Sequence, residues 1–216
     1  NSRKYGFIGP NTFIPLLEDS ALIIPLGRWI INTAAKACNR WITSIPDFVM
    51  HINLSFVQIV KSNIVKDVLE NIERYSAANN HYVFEITETI EMDQIPAVQN
   101  VFKEFVKNEF RFAIDDFGTG YSNYGYMRDR TFDIVKVDRS FVTDIDKLKD
   151  NYLMVSFIIK MAHEMGLHVC IEGVETKEEL SCVKKLGADY IQGYYYGKPV
   201  CLQDFEEQHL KRFVLG

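Results

Sequence analysis

Residues 111–120 read RFAIDDFGTG, a short apolar run that ends in two adjacent acids and a glycine-containing turn. The run Arg111–Asp115 has the length and apolar content of a buried β-strand, and turn residues bound it. Further along the chain, residues 133–138 read DIVKVD and repeat the pattern. In both stretches, polar side chains stand at or beside the end of the apolar run. The two stretches therefore predict strands of one sheet that carry polar groups at their ends.

The same alternation extends over the rest of the chain. Between the predicted strands, apolar residues recur every three or four positions within 26–37, 65–72, 98–105 and 155–165, as in amphipathic helices. Strands that alternate with helices predict an α/β fold with a parallel sheet. No linker-like or low-complexity segment interrupts the alternation, so we expect one domain over residues 1–216. The six predicted strands are Val49–Ser55, Tyr82–Thr87, Arg111–Asp115, Asp133–Asp138, His168–Glu172 and Asp189–Gly193.

The composition excludes several classes of protein. A chain of 216 residues with 47% hydrophobic and 25% charged residues is able to bury a core, which excludes disorder as its main state. Its 24 basic and 29 acidic residues give a net charge of −5, the wrong sign for a protein that binds a nucleic acid polymer. No apolar run approaches the length of a membrane span. The four cysteines have neither metal-site nor disulfide-scaffold spacing. We therefore expect a cytoplasmic protein.

Oxygen-bearing side chains collect at the predicted strand ends, where parallel α/β folds place their functional groups. Carboxylates that meet at one mouth repel each other unless cations neutralise them, and oxygen donors without His or Cys favour Mg²⁺, Mn²⁺ or Ca²⁺. The adjacent acids Asp115 and Asp116 suit two ions and the hydrolysis of a phosphodiester by water. Lys136 then positions that water or stabilises phosphoryl charge. The strand-end residues are Asn53, Glu85, Asp115, Asp116, Lys136, Asp138, Glu172 and Gln192.

Each of these residues also has a simpler interpretation. An isolated Asn or Glu at a strand end is usually a cap, and an Asp-Asp pair before Gly-Thr-Gly suits a turn. Lys136 alone suits a buried ion pair with Asp138. The recurrence of such residues at successive strand ends favours a shared site. Residues 194–196, three tyrosines, either stack on a nucleobase or pack on the rim. Glu178 and Glu179 are expected on a solvated helix face.

Seven motifs, in order, resemble one known family. They are FIPLLEDSALI (13–23), NLS (53–55), EITET (85–89), DDFGTGYSN (115–123), DIVKVDRSFV (133–142), EGVET (172–176) and QGYYYGKP (192–199). From about Gly6 to Pro199, the chain resembles the EAL-domain family of cyclic di-GMP phosphodiesterases. Members of this family use a modified (β/α)8 TIM-like barrel to hydrolyse one phosphodiester of cyclic di-GMP, which gives linear pGpG.

The resemblance implies a role for each matching residue. It implies a cofactor of Mg²⁺ or Mn²⁺, with two ions bound, and inhibition by Ca²⁺. Lys136 corresponds to the lysine that orients the water, and Glu88 to a glutamate that holds the loop after the Asp pair. Gln192, Asp116 and Glu175 are expected beside the substrate. The implied metal ligands are Asn53, Glu85, Asp115, Asp116 and Glu172.

Three expectations about the whole molecule stay open at this point. The family's Glu-Ala-Leu strand, with a metal-binding Glu and a phosphate-binding Arg, is expected before Asn1, so the sequence starts after the first two of eight strands. The alternative is a protein that lacks these two strands. A homodimer is expected, with residues 121–130 as the interface. Two alternatives to the enzyme remain: a non-catalytic receptor for cyclic di-GMP, and a phosphodiesterase for another cyclic dinucleotide.

Overall fold

The computed structural model describes residues 4, 6, 8–75, 77–87, 96–119 and 131–210, except the side chain of residue 209. The chain divides into two compact units. The first comprises Asn1–Tyr82 and Gln94–Phe110, and the second comprises Val83–Asp93 and Arg111–Gly216. Each unit is described by itself below.

The first unit is mainly helical. Its longest helix, α2, packs against α4, and the facing sides bury apolar residues such as Ile31 and Val68. Gly27 lies on the buried side of α2, where an added Cβ would collide with the buried Gln58 side chain. Gln58 Oε1 in turn accepts the backbone N–H of Ser55 at 3.2 Å, which closes a capping box at the start of α3. The elements are α1 (Pro10–Asp19), α2 (Ile23–Trp41), β1 (Met50–Asn53), α3 (Phe56–Lys61), α4 (Ile64–Glu73), a 3₁₀ turn (Asn79–His81) and α5 (Pro96–Lys107).

The second unit is built on a parallel sheet. Its strands lie in the order β2-β3-β4-β5-β6, which is also their order along the chain, and every pair between them is parallel. The strands are β2 (Tyr82–Thr87, in this unit from Val83 onward), β3 (Arg111–Phe117), β4 (Ile134–Val137), β5 (His168–Ile171) and β6 (Tyr190–Ile191). The helices are α6 (Lys149–Glu164), α7 (Lys177–Leu186) and α8 (Leu202–Phe205), with a 3₁₀ turn (Arg139–Phe141) and a π-helical turn (Glu206–Leu210).

Apolar side chains cover the sheet of the second unit. The ring of Phe112 lies 6.3 Å from that of Phe84 and 6.0 Å from that of Phe132, measured between centroids. Helix α6 packs against β5 and buries one stripe of its surface, which contains Val155, Ile158, Ile159 and Ala162. Strands buried in this way need apolar residues at consecutive positions, as the sequence has them.

The α/β class and its parallel sheet are confirmed, and all six predicted strands exist. The four predicted helical stripes lie in α2, α4, α5 and α6. Strand bounds differ most at β1 and β6, each three residues shorter than predicted, and in β6 only Tyr190–Ile191 pair with a neighbour. The apolar pattern does not predict α1, α3 and α8, while α7 lies where a helix was expected around Glu178 and Glu179. Helix α1 contains Pro15, and α3 and α8 have only six and four residues, so their apolar periodicity is weak.

Phe112 provides a test of this packing. We expect Phe112→Ala to lower the free energy of unfolding by about 3–5 kcal/mol, because the ring is fully buried and its loss leaves a cavity. The matched control is Phe157→Ala on α6, since that ring is 56% exposed and its loss is expected to cost roughly 0.5 kcal/mol or less. Urea denaturation of both variants measures the difference. Equal destabilisation of the two would contradict the packing.

Candidate metal site

The sheet register places four predicted site residues on one face of the second unit. Glu85 pairs with Ala113 across β2 and β3, and Ala113 pairs with Ile134 across β3 and β4. Lys136, two residues after Ile134, pairs with Cys170. Because side chains alternate along a strand, Asp115 and Glu172 share the face of Ala113 and Cys170. Glu85, Asp115, Lys136 and Glu172 therefore point to the same side of the sheet.

An irregularity in β3 brings in a fifth residue, Asp116. Ile114 pairs with Val135 but Phe117 pairs with Val137, so β3 carries one extra residue between these pairs. Asp116 has φ 54°, a left-handed conformation in which Asp is one of the more tolerant residues. Adjacent residues of a regular strand point to opposite faces. With this bulge, one carboxylate oxygen each of Asp115, Asp116 and Glu172 lies within 4.8 Å of the others.

Lys136 connects three of the acids. Its Nζ donates to Glu85 Oε2 at 2.8 Å and to Asp115 Oδ1 at 2.7 Å, and it lies 2.9 Å from Glu172 Oε1. Only 3% of the Lys136 surface is exposed. Asp138 was the alternative partner of Lys136, in an ordinary buried ion pair. Its side chain instead accepts the backbone N–H of Ser140 at 2.9 Å and caps the 3₁₀ turn. The lysine is thus the centre of an acidic cluster that consists of Glu85, Asp115, Asp116 and Glu172.

The charge state of Lys136 follows from two opposing effects. Burial alone lowers the pKa of the ammonium group, but the negative charges of Glu85, Asp115 and Glu172 raise it more, so the pKa lies well above its ordinary value. Lys136 is therefore protonated at neutral pH. It is a fixed positive charge in the cluster, and it is not available as a base.

Two acids of the cluster, Asp116 and Glu172, have pKa values shifted in the direction that resists ionisation. Desolvation and the charges of Asp115 and Asp138 raise the pKa of Asp116. Burial raises the pKa of Glu172, although Lys136 opposes the shift. Burial and the charge of Glu172 also raise the pKa of the Cys170 thiol, to about 12, so it stays neutral. The cluster therefore has an excess of negative charge that one lysine does not fully compensate.

The donor set fits a hard divalent cation. Asp115, Asp116 and Glu172 offer only carboxylate oxygens, and their ligand atoms lie close enough together to contact one ion. Mg²⁺ and Mn²⁺ prefer oxygen ligands of this kind. The raised pKa values of Asp116 and Glu172 also fit a cation site, because burial disfavours their charged forms and a bound cation would favour them.

The remaining predicted residues lie at strand ends or outside the described part of the chain. Glu175 follows β5 and Gln192 follows β6, and both are exposed. The carboxylate of Glu175 lies 3.7 Å from Arg139 Nη2. Asn53 ends β1 in the first unit and is exposed. Glu88 and the predicted interface, residues 121–130, lie outside the described residues.

The tyrosines after β6 are exposed in the structure. Tyr194, Tyr195 and Tyr196 expose 42–54% of their surface, and Lys198 Nζ lies 5.4 Å from the centre of the Tyr194 ring. Tyr195 and Tyr196 contact each other edge to face, with centroids 5.4 Å apart.

Glu179 is the residue whose role the sequence analysis missed. It was expected on a solvated face, but only 6% of its surface is exposed, so that expectation is wrong. Its Oε2 accepts the backbone N–H groups of Glu175 at 2.9 Å and Thr176 at 3.0 Å, and its Oε1 accepts that of Asp144 at 3.2 Å. These bonds outweigh the effect of burial and lower its pKa. A capping-box pattern, Thr176 followed three residues later by Glu179, was the signal in the sequence.

Among the described residues, no helix combines the length and apolar character needed to cross a membrane.

Comparisons with known proteins agree with the motifs. The model of the EAL domain matches residues 1–199. The cyclic di-GMP phosphodiesterase PdeL of Escherichia coli is 32% identical over 198 residues, which cover 90% of this chain and 54% of PdeL. The chain spans only about a quarter to a half of the length of the curated relatives it matches.

Solved structures share the fold. The EAL enzyme Bd1971, bound to cAMP and cyclic di-GMP, has a TM-score of 0.90 and 34% identity, covering 99% of this chain and 58% of the other. The PaMucR phosphodiesterase in complex with c-di-GMP has a TM-score of 0.87 and 28% identity, covering 94% and 83%. The parallel sheet and its helices are therefore those of the TIM-like EAL fold. With the family model matched over residues 1–199, this chain belongs to the EAL domain family.

Proposed function

We propose that this EAL domain hydrolyses one phosphodiester bond of cyclic di-GMP to give linear pGpG. Water adds across one P–O bond, so the ring opens with a new phosphate monoester and a free hydroxyl. The observation that carries the proposal is the group of three neighbouring carboxylates, Asp115, Asp116 and Glu172, two of which contact the protonated Lys136. Similarity to PdeL and to PaMucR, which are named as phosphodiesterases, supports the choice of substrate.

We assign Asp115, Asp116 and Glu172 as ligands of Mg²⁺ or Mn²⁺, with two ions bound. Glu85 and Asn53 complete the proposed ligand set, on the basis of the family resemblance. When bound, such ions stabilise negative charge on the phosphoryl group and lower the pKa of water. Ca²⁺ is expected to inhibit, since it tolerates more ligands and a looser geometry than Mg²⁺.

Lys136 supplies positive charge and orients the attacking water. An ammonium group has three N–H donors, and here each faces a different carboxylate. A donor becomes available to water only when one carboxylate turns away. All three partners, Glu85, Asp115 and Glu172, also belong to the proposed ligand set, so cation binding and release of a lysine donor are coupled.

Substrate contacts are assigned to Asp116, Glu175 and Gln192. Glu175 and Gln192 are exposed on the loops that follow β5 and β6, and Asp116 is the most exposed member of the acidic cluster. Glu88 is assigned to the loop that follows the Asp pair, as in the family. The single-domain organisation and the homodimer through residues 121–130 stay predictions.

Binding of a divalent cation gives a first test. We expect Mg²⁺ or Mn²⁺ to raise the melting temperature, because a ligand that binds only the folded state stabilises it, by about 2.7 kcal/mol at a hundred times its Kd. Glu172→Gln should lose most of this gain, since it removes a proposed ligand. The matched control, Glu178→Gln, removes an exposed acid from α7 and should keep it. A metal-dependent shift of equal size in both variants would exclude Glu172 as a ligand.

Removal of the central lysine gives a second test. Without cations, Lys136→Met should lower the free energy of unfolding by about 3–5 kcal/mol, since the carboxylates lose their buried countercharge. Mg²⁺ should then stabilise this variant more than the wild type, because the cation replaces positive charge that the substitution removes. Differential scanning fluorimetry with and without Mg²⁺ measures both effects. If Lys136→Met were as stable as the wild type without cations, the compensating role would be wrong.

The activity itself is tested with the complete natural polypeptide. Cyclic di-GMP and Mg²⁺ or Mn²⁺ should yield pGpG, as followed by liquid chromatography. Asp115→Ala and Glu85→Ala should abolish turnover, since both remove carboxylates at the centre of the cluster. The control Asp204→Ala changes an exposed acid of α8 and should leave turnover unchanged.

Three results would contradict the proposal in different ways. Normal turnover in Asp115→Ala would exclude the metal assignment. Binding of cyclic di-GMP by calorimetry, without pGpG formation, would instead indicate the receptor. Hydrolysis of a different cyclic dinucleotide in a substrate panel, with cyclic di-GMP untouched, would change the substrate.

A further inference from the structure

Glu179 is the buried carboxylate that joins two loops of the second unit. It lies in the first turn of α7, and its two oxygens serve different segments. Oε2 accepts from Glu175 and Thr176 in the loop after β5. Oε1 accepts from Asp144 at 3.2 Å, in the segment after β4. A helix cap needs only the first of these links, so the bond to Asp144 calls for a further explanation.

The loop after β5 is also fixed on its other side. The backbone N–H of Val174 donates to the carbonyl of Gln192 at 3.2 Å, and the N–H of Tyr195 donates to the carbonyl of Val174 at 3.0 Å. An added Cβ at Gly193 would collide with the backbone of Val174, so these two loops pack without space between them. The segment 172–176 is therefore held between the loops that follow β4 and β6.

This segment contains two residues of the proposed site. Glu172 at its start belongs to the acidic cluster, and Glu175 near its end is assigned to the substrate. The side chain of Glu175 is exposed and its ion pair with Arg139 is long, 3.7 Å, so side-chain contacts hold it only weakly. The backbone bond from Glu175 N–H to Glu179 is the short contact that fixes its position.

We propose that Glu179 is a positioning residue: it holds the backbone of segment 172–176 against the loop after β4 so that Glu175 faces the substrate. This inference rests on the proposed function. Glu179 itself contacts backbone N–H groups rather than the acidic cluster, and it acts through Glu175. A misplacement of about 1 Å in such a group costs up to a hundredfold in rate.

Glu179→Gln separates this role from helix capping. A carboxylate accepts hydrogen bonds at both oxygens, whereas an amide accepts at one and donates at the other. With its oxygen toward Glu175 and Thr176, the Gln side chain keeps the cap but turns an NH₂ group toward the N–H of Asp144. The variant therefore keeps α7 capped while it breaks the hydrogen bond from Asp144 that links the two loops through Glu179. Glu178→Gln, on the same turn but exposed, is the control for the lost charge.

A double-mutant cycle tests the inference. We expect Glu179→Gln to lower kcat/KM by on the order of tenfold. In a Glu175→Gln background the same change should have an effect within about twofold, because residues that act through one another are not additive. Glu178→Gln should have little effect in either background. Equal losses from Glu179→Gln in both backgrounds, or no loss in the wild type, would overturn the inference.

The cycle is run on the affinity for cyclic di-GMP as well as on turnover. If the protein binds the nucleotide without hydrolysing it, the proposed hydrolysis is wrong, while coupling of Glu175 and Glu179 in affinity still supports the positioning role. Additive losses in affinity would overturn it. Hydrogen exchange of segments 138–148 and 172–177 adds a structural readout. Faster exchange of both in Glu179→Gln, but not in Glu178→Gln, supports the link between the loops, and unchanged exchange overturns it.

Discussion

The ammonium group of Lys136, placed among three carboxylates, is the interaction on which the second unit's polar face depends. Glu85, Asp115 and Glu172 come from three different strands, and each lies 2.7–2.9 Å from the same nitrogen. Without that charge, the register would bring these carboxylates together at a buried face with strong mutual repulsion. The lysine therefore lets a parallel sheet carry acids on its inner face before any cation binds.

Much of this arrangement was predictable because strands impose a period of two residues. Polar residues at the ends of apolar runs were enough to bring Glu85, Asp115, Lys136 and Glu172 together, since parallel strands end at a common edge. The number of strands in the second unit and their parallel pairing followed from the same alternation. The strand register and the contact of Lys136 with three acids could not be predicted from the sequence pattern, because the pattern does not determine which of several nearby acids a lysine contacts.

Two other features depend on local backbone geometry that the pattern does not show. A regular strand would turn Asp116 away from Asp115, and only the extra residue in β3 with a left-handed Asp116 allows both acids to contribute to one cluster. Glu179 was predicted, with Glu178, to lie on a solvated helix face. Its partners are backbone N–H groups of residues as distant in sequence as Asp144, so its burial depends on tertiary contacts.

The acids of this unit differ in how their charge is compensated, and that difference separates their roles. Glu179 has a lowered pKa, because three N–H dipoles outweigh its burial, so it stabilises the fold above the ordinary pKa of Glu and loses this effect as pH falls through the lowered value. Asp116 and Glu172 have raised pKa values, so their protonated forms are the ones that favour the folded state. Their contribution to the stability of the fold is fully present below the ordinary carboxyl pKa and is lost as pH rises through the raised values. Glu179 has its charge compensated by N–H groups, whereas at neutral pH the cluster has an excess of negative charge that a cation would offset. The same chemical group thus serves as a structural link after β5 and as a candidate ligand at the centre of the sheet.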